Sequence, residues 1–231
     1  MAPIFGYGSL ILPTSLISRF ETIDPELNEI YNDETEHAVR EDALKKWKEC
    51  QNRIKYLPTK IRGFKRYYSY ESKRGGTMLE VVHTDDPEDW INGVLIFGLS
   101  EYEQQRVAQS EAGYDLRTLR DPSVEFYVQP DHVVGSELSS PEEIDLYVSP
   151  KSQEEITAAY PRNRTYHRRI VTGILMLGEM YGEEIARRFY RDFCESTYET
   201  ALHSDDTSIF NTVAKNDRLR GDTCGRLYGD L

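Results

Sequence analysis

An eight-residue, mostly apolar run, Trp90–Phe97, constrains the fold more than any other feature of the sequence. Its β-branched and aromatic residues favour a strand, and its few polar side chains favour a central position in a sheet. Ser100 comes shortly after it, with Glu103 three residues later, a spacing typical of the capping box that begins a helix. We therefore predict a central strand that leads into a helix, which should run to about Glu111 and stop at Gly113.

Further strands and helices are predicted around this unit. The strands are runs of β-branched and aromatic residues bounded by Gly, Pro and Asp, at Ile4 to Tyr7, Ile61 to Tyr70, Met78 to His83, Tyr114 to Leu119, Val124 to Val128 and Ile144 to Val148. Apolar residues at helical spacing begin at Ile170 and are interrupted at Gly182. Residues 24–56 are predicted as a polar helical insertion after the first strand, and residues 203–231 as a polar tail. At 231 residues, one domain spanning 1–231 with an insertion is the economical interpretation.

Charge and composition narrow the class of protein. A net charge of -12 repels nucleic acid and anionic membrane surfaces, so neither is expected as a partner. The N-terminus lacks the pattern of a secretory signal, and no apolar run is long enough to span a bilayer, so we expect a cytoplasmic protein. The three cysteines, Cys50, Cys194 and Cys224, have no zinc-site spacing and are interpreted as reduced thiols.

The segment Phe5-Gly6-Tyr7-Gly8-Ser9-Leu10 is a glycine-punctuated turn at the end of the first predicted strand. It is neither a Walker loop nor a dinucleotide fingerprint, because it has no Gly-Lys-Ser/Thr and no third glycine at the required place. It also lacks the Gly-x-Ser-x-Gly of a nucleophile elbow. Backbone N–H groups in such a turn can hold a carboxylate, although a simple tight turn explains the same residues.

Glu111 lies at the predicted C-terminal end of the helix. A carboxylate there is disfavoured as an anion by the helix dipole, which would make it a better base. The effect of the helix end is only about 0.3–1 kcal/mol, so burial in a pocket would have to add to it. A surface glutamate at a helix end is the simpler interpretation of this residue taken alone.

The order of these short motifs resembles the γ-glutamylcyclotransferase-like superfamily. The resemblance is carried by Tyr7-Gly8-Ser9-Leu10 after a first strand, Arg62-Gly63-Phe64-Lys65-Arg66, the strand Gly93 to Leu99, and Glu111-x-Gly113-Tyr114. It extends weakly to a C-terminal helix with Tyr166 and Gly173. The polar stretch after the first strand and the long tail depart from the pattern.

The resemblance implies an α+β fold, a small mixed β-barrel with flanking helices. It implies an enzyme that cyclises a small γ-glutamyl compound to 5-oxoproline without a cofactor or metal, as a monomer or homodimer. Glu111 would be the acid/base, and Tyr7, Gly8, Ser9, Leu10 and Tyr114 would bind substrate. A non-catalytic binding module on the same barrel, and the choice among dipeptide, glutathione and γ-glutamylamine substrates, remain open alternatives. The five histidines have no metal-binding spacing and receive no role.

Overall fold

The computed structural model describes residues 2–20, 45–71, 76–84, 86–134, 141–156 and 162–198. The strands are β1 (Ile4–Gly6), β2 (Lys55–Arg62), β3 (Phe64–Glu71), β4 (Thr77–His83), β5 (Trp90–Phe97), β6 (Asp115–Arg120), β7 (Val124–Phe126), β8 (Glu143–Val148) and β9 (Thr197–Tyr198). The helices are α1 (Pro13–Phe20), α2 (Glu101–Ser110), α3 (Asp131–Val134), α4 (Arg164–Tyr181) and α5 (Glu183–Glu195), with 3-10 turns at Ser9–Ile11 and Gln153–Glu155. The predicted mixed α+β class is confirmed.

The strands form two sheets. The larger has the order β6-β8-β1-β5-β2-β7, and the smaller has the order β4-β3-β9. In the larger sheet β1 pairs antiparallel with β5 and parallel with β8, so the predicted central strand β5 lies between β1 and β2. Ile91 and Val94 to Ile96 are almost fully buried, as the apolar run predicts.

The larger sheet is rolled rather than flat. Its two edge strands, β6 and β7, are joined by residues 121–123 alone. Four residue steps span at most about 14 Å, whereas six flat strands at ~4.8 Å spacing would be about 24 Å across. The edges therefore approach each other at this end, but no ladder joins β6 to β7 in the described part of the chain. The sheet is an open roll, and the small mixed β-barrel that the resemblance implies is not confirmed.

Two predicted boundaries were wrong. The predicted strand from Ile61 to Tyr70 is two strands, because Gly63 has φ +82°, a left-handed conformation that ends β2 and turns the chain into β3. The predicted insertion overlaps the start of β2, a strand that also contains Pro58. Proline has no N–H to donate, but its carbonyl accepts a hydrogen bond from the Tyr127 N–H at 3.0 Å, so the residue keeps its acceptor in use.

The remaining part of the predicted insertion is only partly described. Residues 45–50 are helical, as predicted, and a turn leads from them into β2. Residues 24–44 and the predicted tail lie outside the described residues. Trp47, from the helical segment, is buried against the edge of the Tyr56 ring, so this segment belongs to the core packing.

The capping box and the helix break are confirmed. Ser100 Oγ accepts from the Glu103 N–H, and the Glu103 carboxylate accepts from the Ser100 N–H at 2.7 Å. The helix α2 ends at Ser110, with Glu111 as its C-cap. In the C-terminal region Gly182 separates α4 from α5.

A fully buried arginine ties the two sheets to α5. The Arg66 side chain on β3 donates to Asn92 O at 2.7 Å and to Asn92 Oδ1 at 2.9 Å on β5. It also donates to Phe193 O at 3.1 Å and to Ser196 Oγ at 2.8 Å at the end of α5. A longer contact, 3.4 Å to Tyr7 O, reaches the loop after β1. Burial lowers the pKa of this guanidinium to about 10, so its dense set of acceptors compensates a real desolvation cost.

Candidate active site

The loop after β1 is held tightly by backbone contacts. The Ile11 N–H donates to Gly8 O at 3.0 Å and the Leu12 N–H donates to Ser9 O at 3.2 Å, which closes the 3-10 turn Ser9–Ile11. Helix α4 lies directly on this turn. A Cβ on Gly173 would come within 2.7 Å of Leu12 N and 2.8 Å of Ile11 C. A glycine at this place in α4 thus allows the helix backbone to approach the loop backbone.

Gly8 is also approached closely by a neighbouring side chain. A Cβ at this position would lie 2.4 Å from the Tyr166 hydroxyl oxygen, well inside contact distance. Tyr166 comes from the first turn of α4, which Asn163 caps by accepting from the Tyr166 N–H at 2.9 Å. The aromatic hydroxyl therefore occupies the space that a side chain at position 8 would fill.

Glu111 reaches this loop from the opposite side. As the C-cap of α2 its N–H donates to Val107 O, and its own carbonyl accepts from the Tyr114 N–H at 2.9 Å. Its side chain is 14% exposed. The carboxylate oxygen Oε1 lies 3.0 Å from Arg19 Nη2, whereas Oε2 accepts no hydrogen bond from any described residue.

Arg19, near the end of α1, links the two halves of the site. Its Nη2 donates to Ser9 Oγ at 3.1 Å as well as to Glu111, and its Nε donates to Ser110 Oγ at 2.8 Å. Its Nη1 donates to Ser15 O at 2.9 Å, which fixes the guanidinium from its own helix. The positive charge of Arg19 lies next to the Glu111 carboxylate. It therefore offsets the unfavourable interaction of this carboxylate with the C-terminal end of the α2 dipole.

These elements enclose a small cavity of about 30 Å³. All six sequence-predicted site residues line it: Tyr7, Gly8, Ser9, Leu10, Glu111 and Tyr114. Phe5, Leu79, Tyr147 and Tyr166 complete the wall. The volume is enough for one or two water molecules. The loop and the glutamate, which are far apart in the sequence, thus face a common space.

Four tyrosines surround the carboxylate. Burial raises the pKa of Tyr166 to about 12, with a further rise from the charge of Glu111, and hydrogen bonds from the Leu79 and Ser9 backbone act in the opposite direction. Burial, again with Glu111, raises the pKa of Tyr147 to about 12. The pKa values of Tyr7 and Tyr114 are also raised, chiefly by burial. All four hydroxyls are therefore protonated at neutral pH.

Two of these hydroxyls are available to a ligand. Tyr7 and Tyr147 are 7% and 6% exposed and line the cavity, and their hydroxyls form no hydrogen bond with any described residue. By contrast, Tyr114 donates to Leu79 O at 3.0 Å and stacks on Tyr70 with ring centroids 5.2 Å apart. The cavity wall thus contains both fixed and unpaired hydrogen-bonding groups, as binding sites commonly do.

The sequence motifs do not identify Arg19 and Tyr147 as site residues. Arg19 is one polar residue on a short amphipathic helix, and Tyr147 is an aromatic residue in an ordinary strand. Tyr166 is singled out only through the resemblance. No group of three metal-binding side chains occurs among the described residues, and no helix among them is long and apolar enough to cross a membrane.

No protein-family model and no curated protein sequence matches the chain. Among solved structures, the chain is similar to an uncharacterized human protein, with 13% identity over 91% of this chain and 98% of that one and a TM-score of 0.47. It is similar to a glutathione-specific γ-glutamyl cyclotransferase from yeast, with 12% identity over 93% and 96% of the chains and a TM-score of 0.39. A protein from Arabidopsis thaliana has 16% identity over 88% and 92% and a TM-score of 0.37. At this level of similarity, function has to be derived from the site itself.

Proposed function

We propose that the chain is a γ-glutamylcyclotransferase-type enzyme that converts a γ-glutamyl compound to 5-oxoproline and a free amine. The observation that carries this proposal is the convergence of the loop Tyr7 to Leu10 and Glu111 on one cavity. The loop and Glu111 are far apart in the sequence. Neither motif taken alone requires the other to lie beside it.

The proposed reaction is an intramolecular aminolysis. The α-amine of the substrate attacks its own γ-carbonyl carbon, so that a C–N bond closes a five-membered lactam and the bond to the leaving amine breaks. Glu111 removes one proton from the α-ammonium before the attack and a second from the same nitrogen as the ring closes. Both protons pass to the leaving nitrogen, which departs as an ammonium, so the number of protons is conserved. Such general acid/base catalysis contributes typically ~10²–10⁴-fold. Oε2 is the oxygen available for this proton, because Arg19 binds Oε1.

The loop would hold and polarise the substrate. The hydrogen bonds within its 3-10 turn use the N–H groups of Ile11 and Leu12 and leave those at the start of the turn for other partners. The Ser9 backbone bonds to the Tyr166 hydroxyl, and we expect a substrate carboxylate or a developing oxyanion to take over this contact. Protonated Tyr7 and Tyr147 add hydroxyl donors in the same wall. The bent substrate would be kept with its amine close to the carbonyl.

Arg19 would change partner when the substrate binds. A γ-glutamyl group is larger than the cavity of about 30 Å³, so binding has to widen the space between loop and glutamate. Arg19 is the side chain that bridges them, through Ser9 and Glu111. Its guanidinium suits the α-carboxylate of the substrate, because it offers several donors in a planar fork.

The test is turnover by the purified chain. γ-Glutamyl-alanine, glutathione and γ-glutamyl-lysine are incubated separately and 5-oxoproline is measured by mass. We expect product from at least one of them, and Glu111→Gln should lower its rate at least ~10²-fold with a melting temperature close to that of the parent. The matched control is Glu101→Gln, an exposed carboxylate at the other end of α2. Full activity of Glu111→Gln would remove this residue from the mechanism.

A non-catalytic binding module is the second candidate, and the ion pair between Arg19 and Glu111 favours it, since it occupies one carboxylate oxygen. This candidate predicts calorimetric binding of a γ-glutamyl compound with no 5-oxoproline formed. Turnover of any of the three substrates excludes it.

A further inference from the structure

A second cleft lies where the larger sheet fails to close. It has a volume of about 260 Å³ and is formed by β6, the residues 122–123 after it, the end of β2 with Phe64, and His83 on β4. It shares no lining residue with the cavity at Glu111. We name it the basic cleft, after its three arginines Arg62, Arg117 and Arg120.

The charge of the basic cleft opposes that of the molecule. The chain has a net charge of -12, yet none of the residues that line this cleft is Asp or Glu. Like charges that line the same cleft repel one another, and a bound anion would lower that repulsion. A cationic cleft on an acidic protein is therefore a feature that a bound anion explains.

The three arginines use few of their N–H donors within the described part of the chain. Arg117 forms no hydrogen bond or ion pair with any described residue. Arg120 has one long contact, 3.4 Å to Glu143 Oε1, between side chains that are 84% and 49% exposed, and exposed pairs of this kind contribute little. Arg62 donates to Pro87 O at 3.3 Å, which orients the guanidinium and leaves its other N–H groups available.

The position of Arg117 is set by the strand pairing. It lies opposite Leu146 of β8, two residues from Leu119, which lies opposite Ile144. Ile144 and Leu146 are fully buried and Leu119 packs against the core, so Arg117 is on the inner face of the rolled sheet. The side chain is nevertheless exposed, so its charge is accessible to a ligand from solvent.

The floor of the basic cleft is apolar. Ile61 and Phe64 are buried core residues that line it, and Leu119, which packs against the core, lines it as well. A cleft of this size is slightly smaller than the ~300–1,000 Å³ of sites for drug-sized ligands. We infer that the basic cleft binds a small organic phosphate, whose phosphate is held by Arg62, Arg117 and Arg120 and whose organic part covers the apolar floor.

Isothermal titration calorimetry with phenyl phosphate on the full chain tests this inference. We expect saturable binding that is at least about tenfold weaker in Arg117→Ala and in Arg120→Ala, because each removes one charged, fork-shaped donor. Arg117→Lys should restore only part of the affinity, since lysine keeps the charge without the planar fork. Melting temperatures close to that of the parent would show that these exposed substitutions leave the fold intact.

Two comparisons separate specific binding from general attraction. Arg187→Ala, which removes an equal charge from an exposed i,i+4 pair on α5, should leave the affinity unchanged. Inorganic phosphate should bind more weakly than phenyl phosphate, and benzyl alcohol should not bind. No heat with phenyl phosphate, or equal loss in Arg187→Ala and Arg117→Ala, would overturn the inference. Because the assay measures binding at a separate cleft, either result is independent of 5-oxoproline formation.

Discussion

Replacing Gly173 with alanine sets two opposing effects against each other. Alanine is favoured over glycine inside a helix by ~1 kcal/mol, and position 173 lies within α4. The new Cβ, however, would lie 2.7 Å from Leu12 N, 2.8 Å from Ile11 C and 2.9 Å from Ile11 O. These are backbone atoms of the loop that carries Ser9 and Leu10, so no side-chain rotation relieves the overlap.

The steric overlap at position 173 should outweigh the gain in helix propensity. Restoring ordinary contact requires α4 and the loop to separate by about half an ångström or more, and overpacking of this kind costs ~1–3 kcal/mol. We expect a net loss of up to about 2 kcal/mol in the free energy of unfolding after the helix-propensity gain of ~1 kcal/mol is subtracted. The same shift moves Ser9 relative to Glu111, and misplacement approaching ~1 Å lowers turnover by up to ~10²-fold.

Gly178→Ala is the matched control, because it is in the same helix and gains the same helix propensity. Its Cβ would meet the Ala186 Cβ, at 3.0 Å, on α5 and away from the loop. Urea unfolding and 5-oxoproline formation are measured for both variants. If Gly173→Ala is as stable and as active as Gly178→Ala, the close approach of α4 does not position the loop and the reasoning is refuted.

Three further predictions concern charged and buried groups. Arg19→Ala should raise KM at least ~10-fold and more than it changes kcat, because it removes the proposed partner of the substrate carboxylate; an unchanged KM in steady-state assays contradicts this role. The pKa values of Tyr147 and Tyr166 are raised to about 12, so the stability linked to their protonated state is fully present below about pH 10 and is lost as pH rises through 12. Urea unfolding that is flat over this range would count against it. Arg66→Met should lower the free energy of unfolding by about 3–5 kcal/mol, because it leaves several buried acceptors unpaired. Wild-type stability in urea would mean that the cost of desolvating the guanidinium equals the stabilisation from its hydrogen bonds.

Local signals predicted the local structure well. The capping box of Ser100 and Glu103 depends on residues three apart, and the structure forms both of its hydrogen bonds. The apolar run of β5 and the break at Gly182 depend on neighbouring residues in the same way. The strand that was predicted to run through Gly63 shows where local signals fail. The turn at Gly63 is supported by the Thr84 N–H, which donates to Gly63 O from 21 residues away in the sequence.

The sequence by itself determined the two segments of the candidate site, the helix that ends at Glu111 and the central strand before it. The tertiary structure alone decided that Glu111 and the loop line one cavity and that Arg19 bridges them. It also decided that Arg117 lines the basic cleft. The reason is the range of the interactions. Caps, turns and strand patterns are set within a few residues, whereas the ion pair of Arg19 and Glu111 joins side chains 92 positions apart and exists only when the sheets and helices pack.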